Sequence, residues 1–300
     1  LSTVPEILAG HSALLCSPTG TGKTLAAFLG VFDHLAKAHD RRELPAGLVA
    51  IYVSPLRALT YDLQKNLQGP LDELGWKHLR VASRSGDTTP KERAAQRRKP
   101  PHILVTTPES LTLLLSQPTW IAAFKTVRFL IIDELHALAE NKRGSLLMVA
   151  AERLEEVCVN RPLVRIGLSA TVAPLERVAE FLVGADRPCR LIEIAPSKRA
   201  HIELFSPLRK NPYPPAGWGG ARLHKELCAL LLQKRTTLIF TNTRSGAESI
   251  GLRLKQLLPD LAAQIEVHHA SLDRAVRLEV EDRLKRGELR AVVCSTSLEL

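Results

Sequence analysis

Apolar residues in this chain gather in short, closely spaced runs separated by amphipathic stretches. Residues 13–16, 48–53, 78–82, 102–106, 128–133 and 164–168 are short apolar runs of strand length. Between them the spacing changes. Leu25, Phe28, Leu29 and Phe32 recur as one face of a helix, and residues 145–158 carry a second helical pattern. Strands alternating with helices predict a parallel sheet covered on both faces, in a first domain over residues 1–196. The composition then shifts. Residues 211–220 read Asn-Pro-Tyr-Pro-Pro-Ala-Gly-Trp-Gly-Gly and are expected to form an irregular insertion near the start of a second domain, 197–300. Beyond it, helical patterns at 223–232 and 252–258 alternate with strand-like runs at 236–240, 265–268 and 291–294. A second α/β series follows the first.

Two of these runs end in chemistry. After 13–16 comes Ser17-Pro18-Thr19-Gly20-Thr21-Gly22-Lys23-Thr24, followed by the first helical face. Strand, glycine-rich loop and helix make a phosphate cradle. Gly20 and Gly22 permit backbone conformations that bring amides close to phosphates. Lys23 offers a point charge for the β- and γ-phosphates, and the Thr24 hydroxyl can ligate Mg²⁺. The strict pattern has a glycine where Ser17 stands. The bland reading is a glycine-rich turn with a solvated lysine.

The run ending at Ile132 leads into Asp133 and Glu134. Carboxylates at the carboxyl end of a parallel strand lie where open α/β sheets bind ligands. Asp133 would hold Mg²⁺ and Glu134 would polarise an attacking water. The bland reading is that both cap the helix that starts there. Together, the loop and the acid pair imply a nucleoside-triphosphate hydrolase.

Composition widens the inference. At 45% hydrophobic and 24% charged residues the chain is globular, and its net charge of +10 suggests an anionic partner larger than a nucleotide. Aromatics are only 4%, so backbone contacts are expected to dominate base stacking. Cys16, Cys158, Cys189, Cys228 and Cys294 contain no C-x-x-C pair. Neither a disulfide framework nor a structural metal is expected, and no membrane segment. The expected location is the cytoplasm.

Further motifs carry a resemblance. In order they are Ser-Pro-Leu-Arg-Ala-Leu (54–59), Thr-Thr-Pro-Glu-Ser-Leu (106–111), Asp-Glu-Leu-His (133–136), Ser-Ala-Thr (169–171), Phe-Thr-Asn-Thr-Arg (240–244), His-His-Ala-Ser-Leu (268–272) and Cys-Ser-Thr-Ser-Leu-Glu-Leu (294–300). With the phosphate loop they resemble a superfamily 2 helicase core. The spelling Asp-Glu-Leu-His, Thr-Asn-Thr-Arg and Pro-Pro-Ala-Gly-Trp-Gly-Gly look most like the large helicase-related (Lhr) group of DEXH-box enzymes. The resemblance implies two tandem RecA-like domains with parallel sheets, the second incomplete.

It also implies roles. Thr19, Gly20, Thr21, Gly22, Lys23 and Thr24 would hold ATP and Mg²⁺, with Asp133 the metal-linked acid and Glu134 the base. His136, Ser169 and Thr171 would couple the nucleotide state to domain closure. Pro55, Arg57, Gly86 in the Ser85-Gly86-Asp87 turn, Thr106, Thr107 and Pro108 would line a strand-binding face on the first domain. Thr243, Arg244, His269 and Ser295 would do so on the second. For Thr106 and Thr107 the alternative is a helix N-cap. For His269 it is an ordinary strand-end histidine, and for the basic run 91–99 a solvated helix face.

The implied activity is ATP-driven 3′-to-5′ movement along single-stranded DNA in DNA repair. An RNA-directed unwinding ATPase and a nucleotide-gated clamp without unwinding are the alternatives; a small-molecule kinase would need neither the second domain nor the basic surplus. Leu300 falls inside a motif, and the arginine-finger motif that would follow it is expected to lie outside the chain. This piece alone is therefore expected to turn over ATP poorly, unless Arg165 or Arg244 serves as the finger.

Overall fold

The computed structural model describes residues 3–18, 20–55, 57–159, 162–194, 201–206 and 218–295. The chain divides into two compact units, Leu1–Arg199 and Ala200–Leu300. The expected boundary at 196/197 lies outside the described residues.

Seven strands form the sheet of the first unit: β1 (Ala13–Cys16), β2 (Ala50–Val53), β3 (Val81–Arg84), β4 (Ile103–Thr106), β5 (Phe129–Ile132), β6 (Val164–Ser169) and β7 (Arg190–Glu193). Their order is β3-β4-β2-β5-β6-β1-β7, and every pairing is parallel. The helices are α1 (Thr3–Leu8), α2 (Lys23–Asp40), α3 (Arg57–Glu73), α4 (Pro90–Arg98), α5 (Pro108–Leu115), α6 (Pro118–Phe124), α7 (Leu135–Ala139), α8 (Lys142–Val157) and α9 (Leu175–Val183).

Successive strand residues point to opposite faces, so a sheet covered twice needs apolar side chains at every position. Ala13 and Leu15 join Ile7, Phe28, Val31 and Leu71 on the face covered by α1, α2 and α3. Leu14 and Cys16 join Trp120, Leu135, Leu147 and Leu182 on the other. Helices α7 and α8 meet closely at Gly144, where an added Cβ would lie 1.9 Å from the Leu138 carbonyl oxygen. Only glycine allows that approach without moving one helix.

Two differences from the sequence pattern have plain causes. β3 lies later than the run at 78–82 because its exit residues are polar yet enclosed. Arg84 is buried with its guanidinium 5.9 Å from the Trp120 ring centroid, and it donates to Gln96 at 3.4 Å. β7 escaped the reading because charged residues bound it and most of it is exposed.

Arg165, on β6, is 2% exposed. It donates to Glu152 at 2.7 Å, to Glu155 at 2.5 Å and to the Leu182 carbonyl at 3.2 Å. Burial alone would raise the Glu152 carboxyl, but hydrogen bonds from Arg165 and Arg187 outweigh it and hold the group below its ordinary value. Arg165 stands one residue into β6, at the end of the strand away from Ser169 and the phosphate loop. It is a structural arginine, not a finger. Arg165→Ala should cost about 1–3 kcal/mol, because the Leu182 carbonyl loses its buried donor while Arg187 still pairs Glu152 and Glu155. Urea unfolding measures this, and nucleotide affinity in the folded variant should be unchanged.

The second unit contains α10 (Trp218–Gln233), β8 (Thr237–Phe240), α11 (Arg244–Leu257), a 3₁₀ turn (Pro259–Gln264), β9 (Ile265–His268), α12 (Arg274–Lys285) and β10 (Ala291–Cys294). Its sheet runs β8-β10-β9, again all parallel. Ala291 and Val293 pack with Ala247 and Leu254 of α11, whereas Val292 and Cys294 meet Val280 of α12. Leu238 and Phe240 on β8 are 38% and 60% exposed. Residues 211–217 of the Pro/Gly stretch lie outside the described residues, but Trp218, Gly219 and Gly220 open α10 instead of remaining irregular. Glycine costs least in a first turn, whose amides lack intrahelical partners anyway.

Candidate nucleotide and nucleic-acid sites

The candidate residues of the first unit stand at or just beyond the carboxyl ends of its strands, and strand order sorts them into two groups. The loops after β1, β5 and β6 carry the nucleotide candidates; those strands adjoin one another as β5-β6-β1. The loops after β3, β4 and β2 carry the nucleic-acid candidates, and those strands adjoin as β3-β4-β2. The seam between the groups is the β2–β5 pairing.

The phosphate loop is built on two left-handed glycines, Gly20 (φ 73°) and Gly22 (φ 85°). An added Cβ at either would meet nothing within 4 Å, so φ and not crowding requires glycine. Gly22 is the N-cap of α2 and Lys23 its first residue, so the helix's amide end opens onto the loop. Thr21 is committed within the loop, with its hydroxyl 2.6 Å from that of Ser17 and donating to the Pro18 carbonyl at 2.8 Å. The Lys23 ammonium donates to the carbonyls of Ser17 (2.7 Å) and Pro18 (3.0 Å). Thr19 lies outside the described residues.

The Glu134 carboxylate does not cap the helix that it precedes. Glu134 is the N-cap of α7, yet its carboxylate makes no capping bond. Its backbone is left-handed, at φ 46° and ψ 44°. Such a conformation in a non-glycine residue costs on the order of 1–3 kcal/mol and recurs at functional sites. The Glu134 carboxylate lies 3.5 Å from His136 Nδ1. That nitrogen is also 3.3 Å from the buried Ser169 hydroxyl and accepts from the Ala170 amide at 3.4 Å. His136 thus ties the end of β5 to the end of β6. Thr171 stands exposed two residues beyond Ser169.

Tyr52 was missed by the sequence reading. This β2 residue is 2% exposed and donates its phenol to Asp133 Oδ2. Burial first, and then the adjacent Asp133 charge, raise the Tyr52 hydroxyl well above its ordinary value against the opposing influence of the nearby Thr24 hydroxyl. Asp133 Oδ1 accepts the Glu134 amide at 3.0 Å. Burial raises the Asp133 carboxyl despite those bonds and the nearby Lys23 and His136. The Asp133 carboxylate at the end of β5 and the Thr24 hydroxyl at the start of α2 therefore both lie close to one phenol. Hard oxygen donors of that kind suit Mg²⁺. The available signal was a tyrosine inside a buried strand, since its hydroxyl must find a partner.

On the other half of the edge many hydroxyls are already engaged. Thr106 is buried and donates to the Arg84 carbonyl at 2.8 Å. Thr107 caps α5, accepting the Ser110 amide at 3.3 Å, and Pro108 follows as the first helical residue. The N-cap alternative thus holds for Thr107 and not for Thr106. Arg143, also unforeseen, bridges the two loops; it donates to Glu109 at 2.6 Å and to the Pro55 carbonyl at 3.0 Å. Arg57 opens α3, and its side chain lies outside the described residues. Gly86 is exposed in a turn held by Arg93, which donates to the carbonyls of Thr88 (2.8 Å), Ser85 (3.3 Å) and Gly86 (3.0 Å). The basic run is therefore partly a brace for that turn as well as a solvated face.

In the second unit Thr243 caps α11 through the Gly246 amide at 3.0 Å. Arg244 donates to Ser271 at 2.6 Å, and His269 Nε2 lies 2.7 Å from Glu248. The buried Ser295 donates its amide to the His268 carbonyl at 3.3 Å. These residues follow β8, β9 and β10, at one sheet edge.

Comparisons with known proteins identify the family. The family model for "DEAD/DEAH box helicase" matches residues 1–179. ATP-dependent helicase Lhr-Core protein 2 of Thermococcus barophilus is 47% identical over 99% of this chain and 36% of its own length. ATP-dependent helicase Lhr-Core of Saccharolobus solfataricus is 44% identical over 100% of this chain and 35% of its own. Among solved structures, the Mycobacterium smegmatis helicase Lhr bound to ssDNA and AMP-PNP superposes with a TM-score of 0.82 at 36% identity, over 99% of this chain and 39% of that one. The chain thus spans little more than a third of each. Among the described residues no helix is long and apolar enough to cross a membrane. The family model covers more than half of the chain, which belongs to the DEAD/DEAH box helicases.

Proposed function

We propose that this chain forms part of the ATP-hydrolysing motor of an Lhr-type DNA helicase, whose complete protein moves 3′-to-5′ along single-stranded DNA in the cytoplasm and serves DNA repair. The carrying observation is the split carboxyl edge, with a phosphate loop and acid pair on one half and a row of loops on the other. The ssDNA and AMP-PNP held by the M. smegmatis relative support both halves of the reading. Polarity and repair rest on the family resemblance.

In this reading Gly20, Gly22 and the first amides of α2 cradle the phosphates, and Lys23 turns its ammonium from loop carbonyls to them. Thr24 and Asp133 would hold Mg²⁺, which would supply charge neutralisation to the phosphate oxygens. Glu134, fixed by its left-handed backbone, orients a water and takes its proton. His136 and Ser169 relate that position to the end of β6.

Pro55, Arg57, Gly86, Thr106, Thr107, Pro108, Thr243, Arg244, His269 and Ser295 are proposed to face the polymer. With Thr106 and Thr107 hydroxyls engaged internally, backbone amides and arginines carry most of that contact. The test is ATP turnover by the complete protein with single-stranded DNA, single-stranded RNA or no polymer. Stimulation by DNA alone supports the reading, and stimulation by RNA alone overturns the DNA assignment.

Affinity should fall with salt at a log–log slope of roughly −0.7 per phosphate contact, nearly regardless of base sequence. Arg57→Ala or Arg244→Ala should each flatten the slope by about 0.7. Fluorescence anisotropy across a salt series measures it. A marked base preference would contradict backbone tracking.

A further inference from the structure

We propose that Tyr52 is a positioning residue for the magnesium-binding pair, its phenol fixing the Asp133 carboxylate relative to the Thr24 hydroxyl. The inference rests on the nucleotide-hydrolysing reading above and assigns a residue that none of its motifs contains.

The geometry is specific. Asp133 is gripped from two directions, by the Tyr52 phenol at Oδ2 and by the Glu134 amide at Oδ1, 3.0 Å away. A carboxylate bonded once at each oxygen cannot rotate freely, yet each oxygen keeps a lone pair for a cation. The phenol is itself held. Its ring stacks on Phe28 with centroids 5.5 Å apart and planes 24° from parallel. Phe28 is four residues beyond Thr24, so one face of α2 presents both an aromatic ring and the candidate ligand to Tyr52. From β2, Tyr52 therefore sets the helix that carries Thr24 against the strand end that carries Asp133. Partners that orient metal ligands in this way typically contribute 10- to 100-fold in metal affinity.

Tyr52→Phe removes the hydroxyl and keeps the stacked ring. The probe is a non-hydrolysable ATP analogue, titrated with Mg²⁺ on wild-type and variant chains and repeated in EDTA. The Mg²⁺ concentration giving half-maximal analogue binding should rise about tenfold. Analogue affinity in EDTA and the melting temperature should not move. An unchanged Mg²⁺ requirement in Y52F overturns the proposal. So does an equal loss of affinity in EDTA, or loss of the folded state, because either would make the hydroxyl a purely structural group. Failure of the wild-type chain to bind the analogue in a Mg²⁺-dependent manner would instead overturn the nucleotide reading beneath it.

Discussion

In the complete protein, Lys23→Ala is expected to lower ATP turnover at least about 10²–10³-fold, the usual loss when one charge-stabilising donor is removed from a transition state. Lys23 opens α2 directly after the left-handed Gly22, and its ammonium donates to the phosphate-loop carbonyls of Ser17 and Pro18. The loops proposed to grip the polymer follow β3, β4 and β2, on the far side of the β2–β5 seam. Single-stranded DNA binding without nucleotide should therefore survive the substitution. Phosphate release and anisotropy on the same preparation make the comparison. Turnover within a few-fold of wild type would refute the loop assignment, and equal loss of both would refute the separation.

Glu134→Gln should have an effect of similar size for a different reason. The amide keeps the side chain's shape but cannot accept the proton of the attacking water, a contribution worth about 10²–10⁴-fold. Asp133 keeps its bonds to Tyr52 and to the residue-134 amide, so Mg²⁺-dependent nucleotide binding should persist. The expected product is a long-lived complex with ATP and single-stranded DNA. Ordinary hydrolysis by this variant would leave the water without its proposed base. The backbone gives a further control: Glu134→Gly relieves the left-handed strain at φ 46° while removing the base. It should be as inactive as the glutamine variant without being less stable by the same mechanism.

The fold and the nucleotide half of the edge were largely legible in the sequence. Fully buried parallel strands are apolar at most positions, so β1, β2, β4, β5 and β6 stood out despite the buried Thr106, Arg165 and Ser169. A phosphate cradle needs its glycines and lysine at fixed offsets along the chain, so local order sufficed. What failed to appear was long-range and polar. Tyr52 meets Asp133 across 81 residues, and Arg143 reaches Pro55 across 88. No local spacing encodes such meetings, because strand order creates them. β3 and β7 were misplaced or missed for a related reason: their charged residues are satisfied by partners distant in sequence.

The seam between β2 and β5 also bears on how such a motor can diversify. Loops after β3, β4 and β2 can accumulate substitutions without displacing Lys23 or Glu134, whose supports lie in α2, β5 and β6. Tyr52 reaches across the division to the Asp133 carboxylate, so inheritance of the hydrolytic engine places a demand on β2 at that position. Lineages should be able to exchange the track they follow while retaining the same engine. The exchange should proceed loop by loop, with each intermediate still burning fuel.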